Sequence, residues 1–105
     1  MKVIVIKPNT QPEITEIDNT LKAMQDTVGG YIQAIYPFSD EIALVCNEEG
    51  KLIGLPLNRP LFDCSGNLVD LIAGTFFLCY APADSDEFQS IPDSLIDKYT
   101  ELFRI

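Results

Sequence analysis

Three runs in the chain are apolar almost throughout and rich in β-branched or aromatic residues: KVIVIK (residues 2–7), EIALVC (41–46) and TFFLCYA (75–81). Such runs predict strands, the first and the last of them central, because a strand buried on both faces has no polar face to alternate with. EITEI (13–17) is a weaker strand that PNTQP joins to the first run as an opening hairpin. In DNTLKAMQDTVGG, Leu21, Met24 and Val28 recur at i, i+3 and i+7. That spacing predicts a helix capped by Asp18 or Asn19 and ended by Gly29 in the left-handed conformation.

YIQAIY (31–36) predicts a strand that turns through PFSD into EIALVC. NEEGK (47–51) then reads as a hairpin loop with Gly50 in the left-handed position, and LIGLPL (52–57) as the returning strand, which Pro56 confines to a sheet edge or ends early. DCSGN (63–67) predicts a turn, LVDLIAG (68–74) fits strand and helix equally, and PADSDEFQ is an exposed acidic loop. The segment SIPDSLIDKYTELF (90–103) predicts a helix, with Ser90, Pro92 and Asp93 as start signals and Leu95, Tyr99, Leu102 and Phe103 on one face. The order is roughly ββαβββ-βα. It predicts one α+β domain over residues 1–105, a mainly antiparallel sheet with both helices packed on one face.

Composition supports a packed interior. The chain has 105 residues, 47% of them hydrophobic, with six Phe and four Tyr, and it contains no repeat, low-complexity tract or dividing linker. The opening MKVIVIKPNT has too short an apolar run for a signal peptide, and no segment approaches the roughly 18 apolar residues of a membrane span. A soluble, cytoplasmic protein is expected.

Charge narrows the partners. Sixteen acids against seven bases give a net charge of −9, spread evenly, with no basic arm or cluster. Nucleic-acid binding relies on Lys and Arg to displace phosphate counterions, so direct binding to DNA or RNA is not expected, nor is attachment to an anionic membrane.

The chain has no histidine, and Cys46, Cys64 and Cys79 form no CxxC pair. Zinc, iron–sulfur and Cys–His chemistry are therefore disfavoured, and neither a metal nor a cofactor is expected. Cys46 and Cys79 lie in apolar runs and read as packing residues; Cys64 reads as a turn or surface thiol. Asp63, Ser65 and Asn67 imitate the first ligands of a calcium loop, but Leu68 and Gly74 stand where that loop needs Gly and Glu. Gly29-Gly30 follows a helix where a phosphate loop would precede one. No catalytic constellation emerges, and the chain reads as a non-enzyme.

One segment keeps a chemical interest. In LNRPLF, Arg59 is one of only two arginines and sits between Asn58 and Pro60, in a stretch that cannot be regular sheet throughout. Its planar, permanently charged fork suits an anionic ligand, with Asn58 as a second hydrogen-bonding group. The alternative is an ion pair with one of the chain's acids.

Taken together, KVIVIKP, EIDNTLKAMQDTVGGYIQAIYP, ALVCNEEGKLIGLPLNRPLFD and IAGTFFL resemble a family of small bacterial and phage proteins classed as a domain of unknown function. The likeness runs from about Met1 to Phe103. It implies a setting on phages, conjugative elements and related mobile DNA, and it implies no particular catalytic or binding residue. The leading expectation is thus a non-enzymatic accessory protein of a mobile element that binds a host protein, with an anti-defence role. The first alternative is a binder of a small, nucleotide-like anion through Asn58 and Arg59. The second is a DNA mimic acting against restriction, for which sixteen acids in 105 residues are only a mild excess. A carboxylate-and-metal hydrolase or transferase ranks last.

Overall fold

A computed structural model describes the whole chain, Met1–Ile105. Seven strands and two helices follow in the order β1 (Lys2–Ile6), β2 (Glu13–Glu16), α1 (Leu21–Val28), β3 (Ile32–Ile35), β4 (Ile42–Asn47), β5 (Leu57–Phe62), β6 (Leu68–Ala73), β7 (Phe76–Tyr80) and α2 (Asp93–Leu102). Five strands form one antiparallel sheet in the order β2-β1-β7-β4-β3, and β5 and β6 pair as a separate two-stranded sheet. The α+β class expected from the pattern is the observed one, and TFFLCYA supplies the middle strand of the larger sheet.

The three apolar runs are β1, β4 and β7, which lie side by side with Ile4 opposite Leu78 and Leu78 opposite Leu44. Their alternate residues feed two cores. Val3, Val5, Ala43, Val45, Phe77 and Cys79 pack against Met24 and Val28 of α1. Ile4, Ile6, Ile42, Leu44, Cys46, Phe76 and Leu78 pack against Leu61 and Ile72 of the β5–β6 hairpin and against Tyr99 and Phe103 in and just beyond α2.

The helices therefore cover opposite faces, which corrects the expectation that both share one. The physical reason is in the strands: three adjacent strands apolar on both faces expose a hydrophobic surface on whichever side is left uncovered.

The second difference lies after β4. Residues 52–57 do not return alongside it. The backbone coils instead, with Ile53 N–H donating to Glu49 O at 3.0 Å and Leu55 N–H to Gly50 O at 2.9 Å. Pro56 has no N–H to give a ladder, and strand pairing resumes only at Leu57, with β6 as partner. LVDLIA thereby resolves as a strand. Gly50 does not adopt a positive φ; Gly54 does, at 74°. Gly50 is required for space, because a Cβ there would lie 2.6 Å from Ala73 O.

The ends of α1 are set by Thr20, whose hydroxyl accepts from Ala23 N–H, in place of Asp18 or Asn19, and by Gly29 at φ 81° as expected. At the start of α2, Pro92 caps without a side-chain bond, while the Ser90 hydroxyl accepts from Lys2 N–H at 2.8 Å and ties the helix entry to β1. Cys46 and Cys79 are buried and Cys64 is exposed; burial pushes the Cys79 thiol up to about 12.

Candidate functional site

Arg59 is placed by irregularity in β5. The pairing with β6 shifts between Leu57 and Pro60 and again between Leu61 and Phe62, so Asn58 and Arg59 fall outside the regular ladder and their side chains turn to the body of the protein. The Asn58 amide donates to Ile6 O at 2.8 Å and to Gly74 O at 2.9 Å. It bridges the end of β1 to the β6–β7 turn.

Arg59 is 6% exposed as a residue. Its Nε–H donates to Phe103 O at 3.0 Å, its Nη1 to Lys7 O at 3.3 Å and to Asn58 Oδ1 at 2.9 Å, and its Nη2 to Thr10 O. Four of the five donors of a guanidinium are thus committed, all to neutral oxygens.

Each of the molecule's ion pairs involves another cation, so the ion-pair role offered for Arg59 is not formed. No acid comes within reach because β1, the turn after it and the residue after α2 present carbonyls there. Burial pushes the guanidinium below its ordinary value, yet an arginine stays charged. The result is a buried positive charge without a counter-charge.

Arg59 also lines a cleft, a cavity of about 320 Å³ between the β3–β4 turn, β5 and the end of α2. Its walls are mainly apolar, with Phe38, Leu61, Phe62 and Phe103 among them, and its second polar group is Arg104. Both arginines of a strongly acidic chain therefore line one cleft. Arg104 is exposed and reaches Glu101 at 2.8 Å.

The aromatic walls are fixed by edge contacts, Phe38 with Tyr99 at 4.9 Å and Phe76 with Phe103 at 5.5 Å between centroids. Asp40 holds the neighbouring turn by accepting from Tyr99 Oη and Lys98 Nζ, both at 2.7 Å. Those two bonds keep the Asp40 carboxyl below its usual range, Lys98 having the larger effect.

Beside the cleft, the outer side of the β5–β6 hairpin is apolar. Phe62 stands opposite Leu68, and both are exposed. Of the twelve exposed large apolar side chains, six (Leu52, Ile53, Leu57, Phe62, Leu68 and Val69) belong to this hairpin and the turn that leads into it.

Sequence reasoning singled out Asn58 and Arg59 and missed Phe62, Leu102 and Arg104. The apolar spacing places Leu102 on the buried stripe of the second helix, whereas it is exposed at the cleft and Ile96 packs on the core in its place. The rarity of arginine was the available signal for Arg104. The Asn47–Lys51 segment is a structural turn and not the hairpin loop expected: Asn47 Oδ1 accepts from Glu49 N–H at 2.8 Å and its amide donates to Val28 O at 3.2 Å.

No helix is long and apolar enough to cross a membrane. No curated protein and no solved structure matches the chain. The model of the family described as a domain of unknown function (DUF3846) matches residues 1–104, and the chain belongs to that family.

Proposed function

We propose that the chain is a non-enzymatic binding module whose partner is another protein. The observation that carries this reading is the apolar character of the β5–β6 hairpin, which holds four of the molecule's twelve exposed large apolar side chains, with two more, Leu52 and Ile53, in the turn that leads into it. Scattered exposed apolar residues are ordinary, but a concentration of them on one element marks a docking surface. Phe62 is the natural anchor, since aromatic side chains dominate interface energetics.

Binding is favoured over catalysis because the polar side chains of the adjacent cleft are guanidinium groups, which hold anions but do not exchange protons near neutral pH. The phage and mobile-element setting implied by the sequence resemblance makes a host protein the expected partner class. The acidic surface adds a preference for a basic rim on that partner.

The test is affinity capture from host extract with three versions of the protein: wild type, Phe62→Ser with Leu68→Ser, and Tyr31→Ser as an exposed control outside the hairpin. A partner retained by wild type and by the control and lost with the hairpin pair supports the proposal. Equal capture by all three removes the hairpin from consideration. Sedimentation of wild type as a dimer that the hairpin pair converts to monomer would assign the surface to a second copy and overturn the host-protein reading.

A further inference from the structure

We propose that the cleft between β5 and the end of α2 binds a small organic monocarboxylate with an apolar body, its carboxylate shared by Arg59 and Arg104. This goes beyond the docking role of the hairpin, because it rests on a charge and not on an exposed surface.

A charge taken out of water is strongly disfavoured unless paired, and buried cations in proteins ordinarily face a carboxylate or another anion. Arg59 is 6% exposed and faces only carbonyl and amide oxygens, although the chain has sixteen acids from which a partner could have been drawn. It retains one Nη2–H beyond its four hydrogen bonds, and its residue lines an open cavity. An anion arriving in that cavity would supply the missing counter-charge at a site whose walls are already built.

The class of anion follows from the donors and the walls. One remaining N–H of Arg59 and the exposed fork of Arg104, which holds only Glu101, suit two oxygens and a single negative charge. With Glu101 already paired to Arg104, one positive charge is left unmatched in the cleft, which a monoanion neutralises and a phosphate dianion would exceed.

Phe38, Phe62, Leu102 and Phe103 offer no hydrogen bonds to the rest of the ligand, so its body is hydrocarbon. A cavity of about 320 Å³ admits a phenyl ring on a short chain, and its apolar walls leave the base, ribose and phosphates of a nucleotide without hydrogen-bond partners. The small-anion alternative raised from Asn58 and Arg59 is thereby reshaped. Asn58 is a buttress committed to two carbonyls, Arg59 and Arg104 take the charge, and the ligand is not nucleotide-like.

The experiment is a titration of the full chain with 3-phenylpropanoate and, separately, with its neutral analogue 3-phenylpropanamide, followed residue by residue through backbone amide NMR shifts. The acid should produce saturable shifts confined to the amides of residues 38, 59, 61–62 and 102–105, and the amide should bind at least ten-fold more weakly. Arg104→Gln, an exposed change that leaves the fold intact, should weaken the acid several-fold and leave the amide unaffected. Equal binding of acid and amide, unchanged acid binding by Arg104→Gln, shifts centred elsewhere, or no saturable shift at all would each overturn the proposal.

Discussion

Arg59 connects three parts of the chain that are remote in sequence: the turn after β1 through Lys7 and Thr10, its own strand, and Phe103 just beyond α2. Removing it strips donors from three carbonyls, and one buried acceptor left bare costs about 1–3 kcal/mol. Arg59→Ala should therefore lower stability by at least about 2 kcal/mol in urea unfolding, well above the 0–1 kcal/mol typical of a surface ion pair. Arg59→Lys should rescue little, since one ammonium cannot span the three carbonyls that a planar fork reaches. The sequence shows a rare arginine in a segment broken by prolines. It does not show the carbonyls that receive it, because these lie 44 to 52 positions away and a carbonyl carries no side-chain signature.

At the scale of elements, β7 and the turn after β4 make contrasting cases. Phe77 is fully buried against α1, and Phe77→Ala should cost about 3–5 kcal/mol, read as a drop in urea midpoint with unchanged slope. Gly50 is held by space. Gly50→Ala should cost about 1–3 kcal/mol by pushing on the Ala73 carbonyl, and Gly50→Asn should be no better. A left-handed glycine would have tolerated Asn more readily than Ala, so the pair of melts separates the two explanations.

The strands β1, β4 and β7, the opening hairpin and both helices were legible because each is a local pattern of apolar spacing. The β5–β6 pairing was not, since Pro56 and two register shifts interrupt the alternation on which a strand is recognised. The placement of the helices was legible in principle. Runs apolar on both faces already require cover on both sides.

For the molecule as a whole, the absence of histidine leaves no side chain whose ordinary titration falls between about pH 5 and 7, and stability should be flat across that range. Acid is different. Asp40 is held down by Lys98 and Tyr99, Asp63 by the backbone amides of its own turn, Asn67 first, and Asp70 by Lys51. A carboxyl lower in the folded than in the unfolded chain contributes stability above its unfolded value, near 3.8, and loses that contribution as pH falls through the folded value. Urea midpoints should thus hold steady from about pH 7 to 5 and fall below about pH 4. Asp40→Asn should make the acid limb shallower; an identical limb would remove Asp40 from the account.

The position of β7 also bears on how the molecule comes together. It is the last strand in sequence, yet it stands between β1 and β4 in the sheet. The β1–β2 and β3–β4 pairs close locally, and nothing joins them until Phe76–Tyr80 arrives with hydrogen bonds for both. During synthesis each pair waits with one bare apolar edge. The chain is consequently most prone to aggregate once the β3–β4 pair has emerged and before β7 is free to insert, and the insertion of that one late strand ends the exposure.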